Sequence, residues 1–166
     1  AAVQSEYSLW TRNPEIALLD ACREADTALV AFSPLGRGFL AGAVTDANQL
    51  TENDVRHGMP RFSTDNLPQN LRQLEKLQAI ASEREVTTGQ LALAWLTAQS
   101  DDVLPIPGTR SIAHMRENLA AESLRLDVDT LERLSVILTP DQVAGARYSE
   151  ALQKEIDTEE FDSSTA

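Results

Sequence analysis

Cysteine, histidine and basic residues are scarce in this 166-residue sequence, and long apolar runs are missing. A single cysteine, Cys22, excludes an internal disulfide and is typical of a protein in the reducing cytoplasm. Lys and Arg total 14 against 26 Asp and Glu, which gives a formal net charge of −12. This charge disfavours nucleic acid and anionic membrane surfaces as partners. No apolar run is long enough to span a membrane, so no membrane partner is expected.

Two glycine-containing turns, each directly after an apolar run, are the most informative feature that is present. Residues 31–38 read Ala-Phe-Ser-Pro-Leu-Gly-Arg-Gly, and residues 104–111 read Leu-Pro-Ile-Pro-Gly-Thr-Arg-Ser. Glycine lets a ligand approach the backbone closely, and free backbone N–H groups in such turns bind anions. Arg37 and Arg110 add positive charge, so we expect phosphate groups there. Two such turns after two strands predict a nucleotide cofactor.

Apolar periodicity predicts strands that alternate with helices. The expected strands cover residues 2–9, 27–32 and 103–106. The expected helices are 14–25 capped by Asn13, 67–85, 88–98 with a capping box at Thr87, a helix from Ser111 to Ala121, and a short one from Asp127 or Asp129. Alternation of this kind predicts an α/β fold with parallel strands and right-handed crossovers.

The small number of predicted strands and the start of the chain indicate that it is part of a longer protein. Three strands cannot close a sheet, so both outer strands would have bare edges. The chain also begins inside a predicted strand without an initiator methionine, and we therefore expect it to be part of a longer protein. Residues 44–66 are polar and predict a long surface excursion. From about residue 145 to residue 166 we expect an acidic, solvated tail.

Some residues of the two glycine-containing segments allow more than one chemical interpretation. Residues 36–41 match the pattern G-x-G-x-x-A, but no second strand ending in an acid follows, which argues against a Rossmann fold. Arg110 and His114 fit a solvated helix N-terminus or a phosphate site, and we favour phosphate because a lone cation opposes the helix dipole. Phe32 fits a core position and a stacking surface equally. No metal-ligand spacing and no Ser-His-Asp set is found, so no catalytic or metal-binding residue is assigned.

Three motifs resemble the aldo-keto reductase family. They are residues 4–10 (Gln-Ser-Glu-Tyr-Ser-Leu-Trp), residues 32–38 and residues 106–110, with Glu117-Asn118 downstream. The resemblance extends to about Tyr148, with the motifs in the family's order. It implies part of a (β/α)8 TIM barrel, with this chain holding strands six to eight, and it implies NADPH bound over the carboxyl ends of the strands.

The resemblance also implies roles for individual residues. Gln4 would hold the nicotinamide carboxamide, Phe32 would stack on the nicotinamide, and Trp10, Arg12 and residues 44–61 would border the substrate. His114 stands where much of the family has arginine. The complete set of expected cofactor-binding residues is Gln4, Phe32, Ser33, Pro34, Leu35, Gly36, Arg37, Gly38, Pro107, Gly108, Thr109, Arg110, His114, Glu117 and Asn118.

The family reduces aldehydes and ketones, using a tyrosine acid assisted by lysine, aspartate and histidine. None of these four has a counterpart here, so we expect this chain to supply the cofactor site and to show little or no carbonyl reduction alone. The expected partners are a small carbonyl substrate and a missing N-terminal barrel half, or a second copy of the chain. Two alternatives stay open, namely a non-catalytic nucleotide-binding relative, as potassium-channel beta subunits are thought to be, and an inactive truncated fragment.

Overall fold

The computed structural model describes residues 1–161, so the end of the expected acidic tail, residues 162–166, lies outside it. One parallel sheet has the order β1-β2-β3, formed by β1 (Ala2–Glu6), β2 (Ala28–Phe32) and β3 (Val103–Pro105). The α-helices are α1 (Leu18–Glu24), α2 (Leu67–Glu83), α3 (Thr88–Thr97), α4 (Ile112–Ala120), α5 (Val128–Ser135) and α6 (Glu150–Gln153). The expected α/β class with parallel strands is confirmed.

The sheet buries one face and leaves the other open. Leu29, Ala31 and Val103 are buried, and they belong to the core cluster that also contains Trp95 of α3. Because side chains alternate along a strand, their neighbours lie on the opposite face. There Leu104 of β3 is 50% exposed. A sheet with helices on one face and an uncovered second face fits part of a barrel, whose interior face would be this second one.

The predicted helix starts are confirmed where a side chain caps the backbone. Thr87 and Gln90 form the expected capping box, with a distance of 3.1 Å in both directions between backbone nitrogen and side-chain oxygen. The hydroxyl of Ser111 accepts from the N–H of His114 at 3.3 Å. Asp127, rather than Asp129, caps α5.

The N-terminal region departs from the prediction in two places. The strand expected to reach residue 9 ends at Glu6, because Ser8 and Thr11 exchange backbone hydrogen bonds of 3.1 Å and close a tight turn. The helix expected from Pro14 is a 3-10 turn at Asn13–Glu15, and α1 begins only at Leu18. Asn13 is therefore not its cap, and its side-chain amide instead donates to the carbonyl of Glu159 at 2.8 Å.

The long excursion and the C-terminal segment pack against each other. Within the excursion, Met59 and Phe62 are buried, so the predicted surface loop contributes to the core. The buried amide side chain of Asn70 in α2 accepts from the N–H of Ala144 at 2.9 Å and donates to its carbonyl at 3.0 Å. Arg61 Nε in the excursion also donates to the carbonyl of Gly145 at 3.4 Å, so the segment after α5 contacts both the excursion and α2. No helix within residues 1–161 has the length and apolar character that crossing a membrane requires.

Candidate cofactor site

An open groove of about 690 Å³ lies where β2 and β3 end. Because both strands are parallel, their carboxyl ends share one edge of the sheet, and the two glycine-containing segments meet there. All predicted cofactor residues except Gln4, Gly36 and Arg110 line this groove. Four further lining residues were not predicted: Ala41, Ala43, Thr87 and Ile106.

The turn after β2 is compact and left-handed at several residues. Ser33, Gly36, Arg37 and Gly38 have φ angles of 49°, 56°, 55° and 91°. The N–H groups of Gly36 and Gly38 donate to the carbonyls of Ser33 and Leu35 at 2.9 and 3.0 Å. These two amides stabilise the turn itself, so the N–H groups of Gly36 and Gly38 are engaged within the protein. For Arg37 the left-handed conformation costs about 1–2 kcal/mol.

The side chain of Arg37 binds protein groups. Its Nη1 and Nη2 donate to the two carboxylate oxygens of Glu6 at 3.1 and 3.0 Å, and Nη2 also donates to the hydroxyl of Tyr148 at 2.7 Å. Burial lowers the pKa of Arg37, but the Glu6 carboxylate and Tyr148 outweigh it and raise the pKa above its usual value. The guanidinium is thus engaged in an internal ion pair with Glu6, and Arg37 also lines the groove.

The turn after β3 is more open. Apart from its own chain neighbours, no residue has a heavy atom within 4 Å of the position that a Cβ on Gly108 would take, and Gly108 lines the groove. Thr109 accepts from the N–H of Ser111 at 3.1 Å and leads into the capped start of α4. Arg110 is exposed beside this helix start but does not line the groove, whereas His114 does.

Hydrogen bonds between the start of α3 and α4 join residues that line the groove. The hydroxyl of Thr87 donates to the carboxylate of Glu117 at 2.6 Å, and the side chain of Gln90 donates to the Glu117 carbonyl at 3.3 Å. Glu117 is thereby held in place next to Asn118. Thr87 was recognised from the sequence only as a helix cap, because its contact with Glu117 spans 30 residues.

Gln4 stays apart from the groove. It lies in β1 opposite Val30 and is exposed on the open face of the sheet. Phe32, at the end of β2, is half-buried and lines the groove. Gly36 is buried beneath the turn, where an added Cβ would lie 2.9 Å from the indole of Trp10. Among residues 1–161, no group of three His, Cys, Asp or Glu side chains could hold a metal ion.

The chain is similar to known proteins along most of its length. The sequence profile of the Aldo/keto reductase family matches residues 1–138. A Schizosaccharomyces pombe protein named aldo-keto reductase yakc [NADP(+)] is 42% identical over 151 residues, covering 89% of this chain and 44% of the relative. A probable aldo-keto reductase 1 from Glycine max is 38% identical, covering 91% and 43%. The chain thus spans less than half the length of these relatives.

Solved structures share the fold. The glycerol dehydrogenase AKR11B4 of Gluconobacter oxydans superposes with a TM-score of 0.77 at 21% identity, covering 83% of this chain and 42% of that one. An aldo/keto reductase from Klebsiella pneumoniae, solved with NADP and acetate, gives a TM-score of 0.59 at 26% identity, covering 90% and 43%. These neighbours are TIM barrels, and the parallel sheet with its outer helices corresponds to part of such a barrel.

Proposed function

Because this chain belongs to the Aldo/keto reductase family, we propose that it forms the cofactor-binding part of an NADPH-dependent oxidoreductase that reduces aldehydes or ketones to alcohols. The groove at the carboxyl ends of β2 and β3 is the observation that supports this proposal best, because both glycine-containing segments line it. TIM-barrel enzymes bind their ligands at this end of the strands. A volume of about 690 Å³ also lies in the range typical of cofactor sites.

The residues present fit a dinucleotide. Open space at Gly108 allows a sugar or phosphate to approach the backbone. The half-buried ring of Phe32 lines the groove and leaves a surface for stacking on a nicotinamide. Residues 33–38 would border the pyrophosphate, with Glu117 and Asn118 at the adenine. When bound, NADPH supplies the hydride, and the chain's own residues bind and orient it.

Arg110 is the residue on which we expect the preference for NADPH over NADH to depend. It is exposed next to the capped start of α4, where the helix dipole also favours an anion. Thr109 and His114 lie in the same region and line the groove. A charge-assisted bond from Arg110 to the 2′-phosphate would be worth roughly 1.5–3 kcal/mol, or about 10- to 100-fold in affinity. The NADP in the names of two similar proteins supports this cofactor.

Proton donation is expected to come from outside this chain. The acid–base residues that the resemblance implies have no motif counterpart here, so we propose that the chain alone reduces carbonyl substrates weakly or not at all. Its partner would be the remainder of the barrel, or a second copy, along the outer edges of β1 and β3. Val3 of β1 and Leu104 of β3, which are 40% and 50% exposed, belong to these two outer strands. A cytoplasmic setting would suit the single buried cysteine, Cys22.

Titration of the 166-residue chain with NADPH and with NADH, followed by cofactor fluorescence, tests the cofactor proposal. We expect NADPH to bind more tightly, and Arg110→Ala to weaken NADPH by about 10-fold or more while NADH changes little. Arg116→Ala is the matched control, because this equally exposed arginine lies within α4, away from the capped helix start that Arg110 adjoins. Absence of binding by either cofactor would contradict the proposed site, and equal losses for the two variants would contradict the role of Arg110.

Reduction of 4-nitrobenzaldehyde with NADPH tests the proposal that proton donation comes from outside this chain. We expect no steady-state turnover by the chain alone, because the proton donor that the resemblance implies has no motif counterpart in it. Turnover under these conditions would show that the chain contains its own proton donor. The matched measurement is cofactor binding by the same preparation, which separates a catalytically incomplete site from a misfolded one.

A further inference from the structure

A buried carboxylate at the end of β1 collects donors from distant parts of the chain. Glu6 is 1% exposed. Its Oε1 accepts from the hydroxyl of Thr11 and from Arg37 Nη1, both at 3.1 Å. Its Oε2 accepts from Arg37 Nη2 and from the hydroxyl of Tyr148, both at 3.0 Å, and Arg147 Nε lies 3.6 Å away. Both oxygens are thus fully engaged.

The surroundings of Glu6 are strongly positive. Burial lowers the pKa of the nearby Arg61 to about 10, and the charge of Glu6 opposes this shift. Arg147 is 9% exposed, and its guanidinium lies 4.7 Å above the ring of Tyr148. Arg37 and Arg147 each form a salt bridge with Glu6. Loss of this carboxylate would leave three buried or half-buried arginines to repel one another.

The backbone of Arg37 explains why this cluster matters for the groove. A non-glycine residue keeps a left-handed conformation only where its surroundings hold it there, and Arg37 is fixed at three points. Its guanidinium is bound by Glu6 and Tyr148, and its carbonyl accepts from Arg56 Nη1 at 3.1 Å. Arg37 and Gly38 line the groove directly. The shape of the groove wall therefore depends on contacts made outside it.

We infer that Glu6 and Tyr148 are positioning residues of the cofactor groove: through the Arg37 guanidinium they hold the turn at residues 33–38 in its binding conformation. This inference rests on the proposed function for its ligand, but the conformation of the turn is measurable without a ligand. Tyr148 lies beyond the residues that the family profile matches. The C-terminal segment, expected from its composition to be solvated, thus carries a residue that acts on the groove.

Hydrogen–deuterium exchange of the 166-residue chain, with and without NADPH, tests the inference. Tyr148→Phe removes one oxygen and leaves the ring stacked, so folding is retained. We expect the amides of Gly38, Leu40 and Ala43, which are hydrogen-bonded within the turn, to exchange roughly 3- to 10-fold faster. Amides of α2 should keep their rates. Binding of NADPH should weaken roughly 3-fold or more, and Glu6→Gln should show larger changes in both measurements.

Tyr7→Phe is the matched control. The hydroxyl of Tyr7 is also buried and donates to a carboxylate, that of Glu15, at 3.0 Å. It makes no contact with Arg37, so its loss lowers stability without changing the exchange of the turn or the affinity for NADPH. Unchanged exchange of the turn in Tyr148→Phe would overturn the inference, as would equal effects of the two tyrosine variants. Failure of the unmodified chain to bind NADPH would instead contradict the proposed function, while the exchange rates would still decide the positioning role.

Discussion

Replacing Gly36 by alanine tests the packing beneath the groove. Gly36 has a φ of 56°, and an added Cβ would lie 2.9 Å from Cε3 of Trp10. The indole cannot move away easily, because it stacks on Phe39 with ring centroids 3.8 Å apart and has the guanidinium of Arg61 5.3 Å from its ring. The new methyl group therefore meets a rigid neighbour in an unfavourable backbone conformation.

The expected cost follows from these two effects. A left-handed L-residue costs about 1–2 kcal/mol, and overpacking of a filled core costs about 1–3 kcal/mol. Alanine also lowers the conformational entropy of the unfolded chain, which offsets about 0.4–1 kcal/mol of this destabilisation. The free energy of unfolding should therefore fall by about 1–4.5 kcal/mol. With a urea m-value of about 2 kcal/mol/M, the unfolding midpoint would drop by about 0.5–2 M.

Urea unfolding followed by far-ultraviolet circular dichroism is the assay, with Gly108→Ala as the control. Gly108 has no neighbour within 4 Å of its Cβ position, so alanine there should leave the midpoint unchanged or slightly raise it. The same substitution should weaken NADPH binding, because it adds a methyl group at the groove. Equal midpoints for Gly36→Ala and the unmodified chain would refute the reasoning about Trp10. A destabilised Gly108→Ala would refute the openness of the second turn.

Three further predictions concern stability and association. Hydrogen bonds from Thr130, followed by the Arg84 ion pair, hold the pKa of Asp127 at about 2. Its stabilising effect is complete above the unfolded pKa of about 4 and disappears as the pH falls towards 2. Urea midpoints should therefore differ between Asp127→Ala and the unmodified chain at pH 6 and converge near pH 2, whereas Asp129→Ala should differ little at either pH. Leu77→Ala should lower the free energy of unfolding by about 2–5 kcal/mol, because Leu77 is fully buried. Lys76→Ala on the same helix should change it by no more than about 0.5 kcal/mol. Similar melting temperatures for these two variants would contradict the assignment of Leu77 to the core. Leu104→Lys on the open face of the outer strand β3 should reduce self-association in light scattering, and unchanged scattering would show that this face of β3 is not part of the contact surface.

Local signals explain which structural predictions succeeded. Three confirmed predictions depend on neighbours within a few residues. They are the capping box at Thr87, the cap at Ser111 and strand β2, which leads into the turn at residues 33–38. Asn13 shows the limit of such signals. Its sequence context is that of a helix cap, but Glu15 is held by Arg12 at 2.8 Å and by Tyr7 at 3.0 Å, and α1 starts later.

By itself the sequence determined the parallel α/β class and the two turns that border the groove. The apolar runs and the glycine-containing turns that follow them are recognisable from consecutive residues, and parallel strands then bring both turns to one edge of the sheet. Only the tertiary structure decided that Arg37 binds Glu6 and Tyr148, which lie 31 and 111 residues from it along the chain. A basic residue in a turn is attracted to any buried anion, and the folded chain supplies a carboxylate at the end of β1. The partner of a charged side chain thus depends on which residues the fold brings close to it, and the neighbouring residues in the sequence do not reveal this.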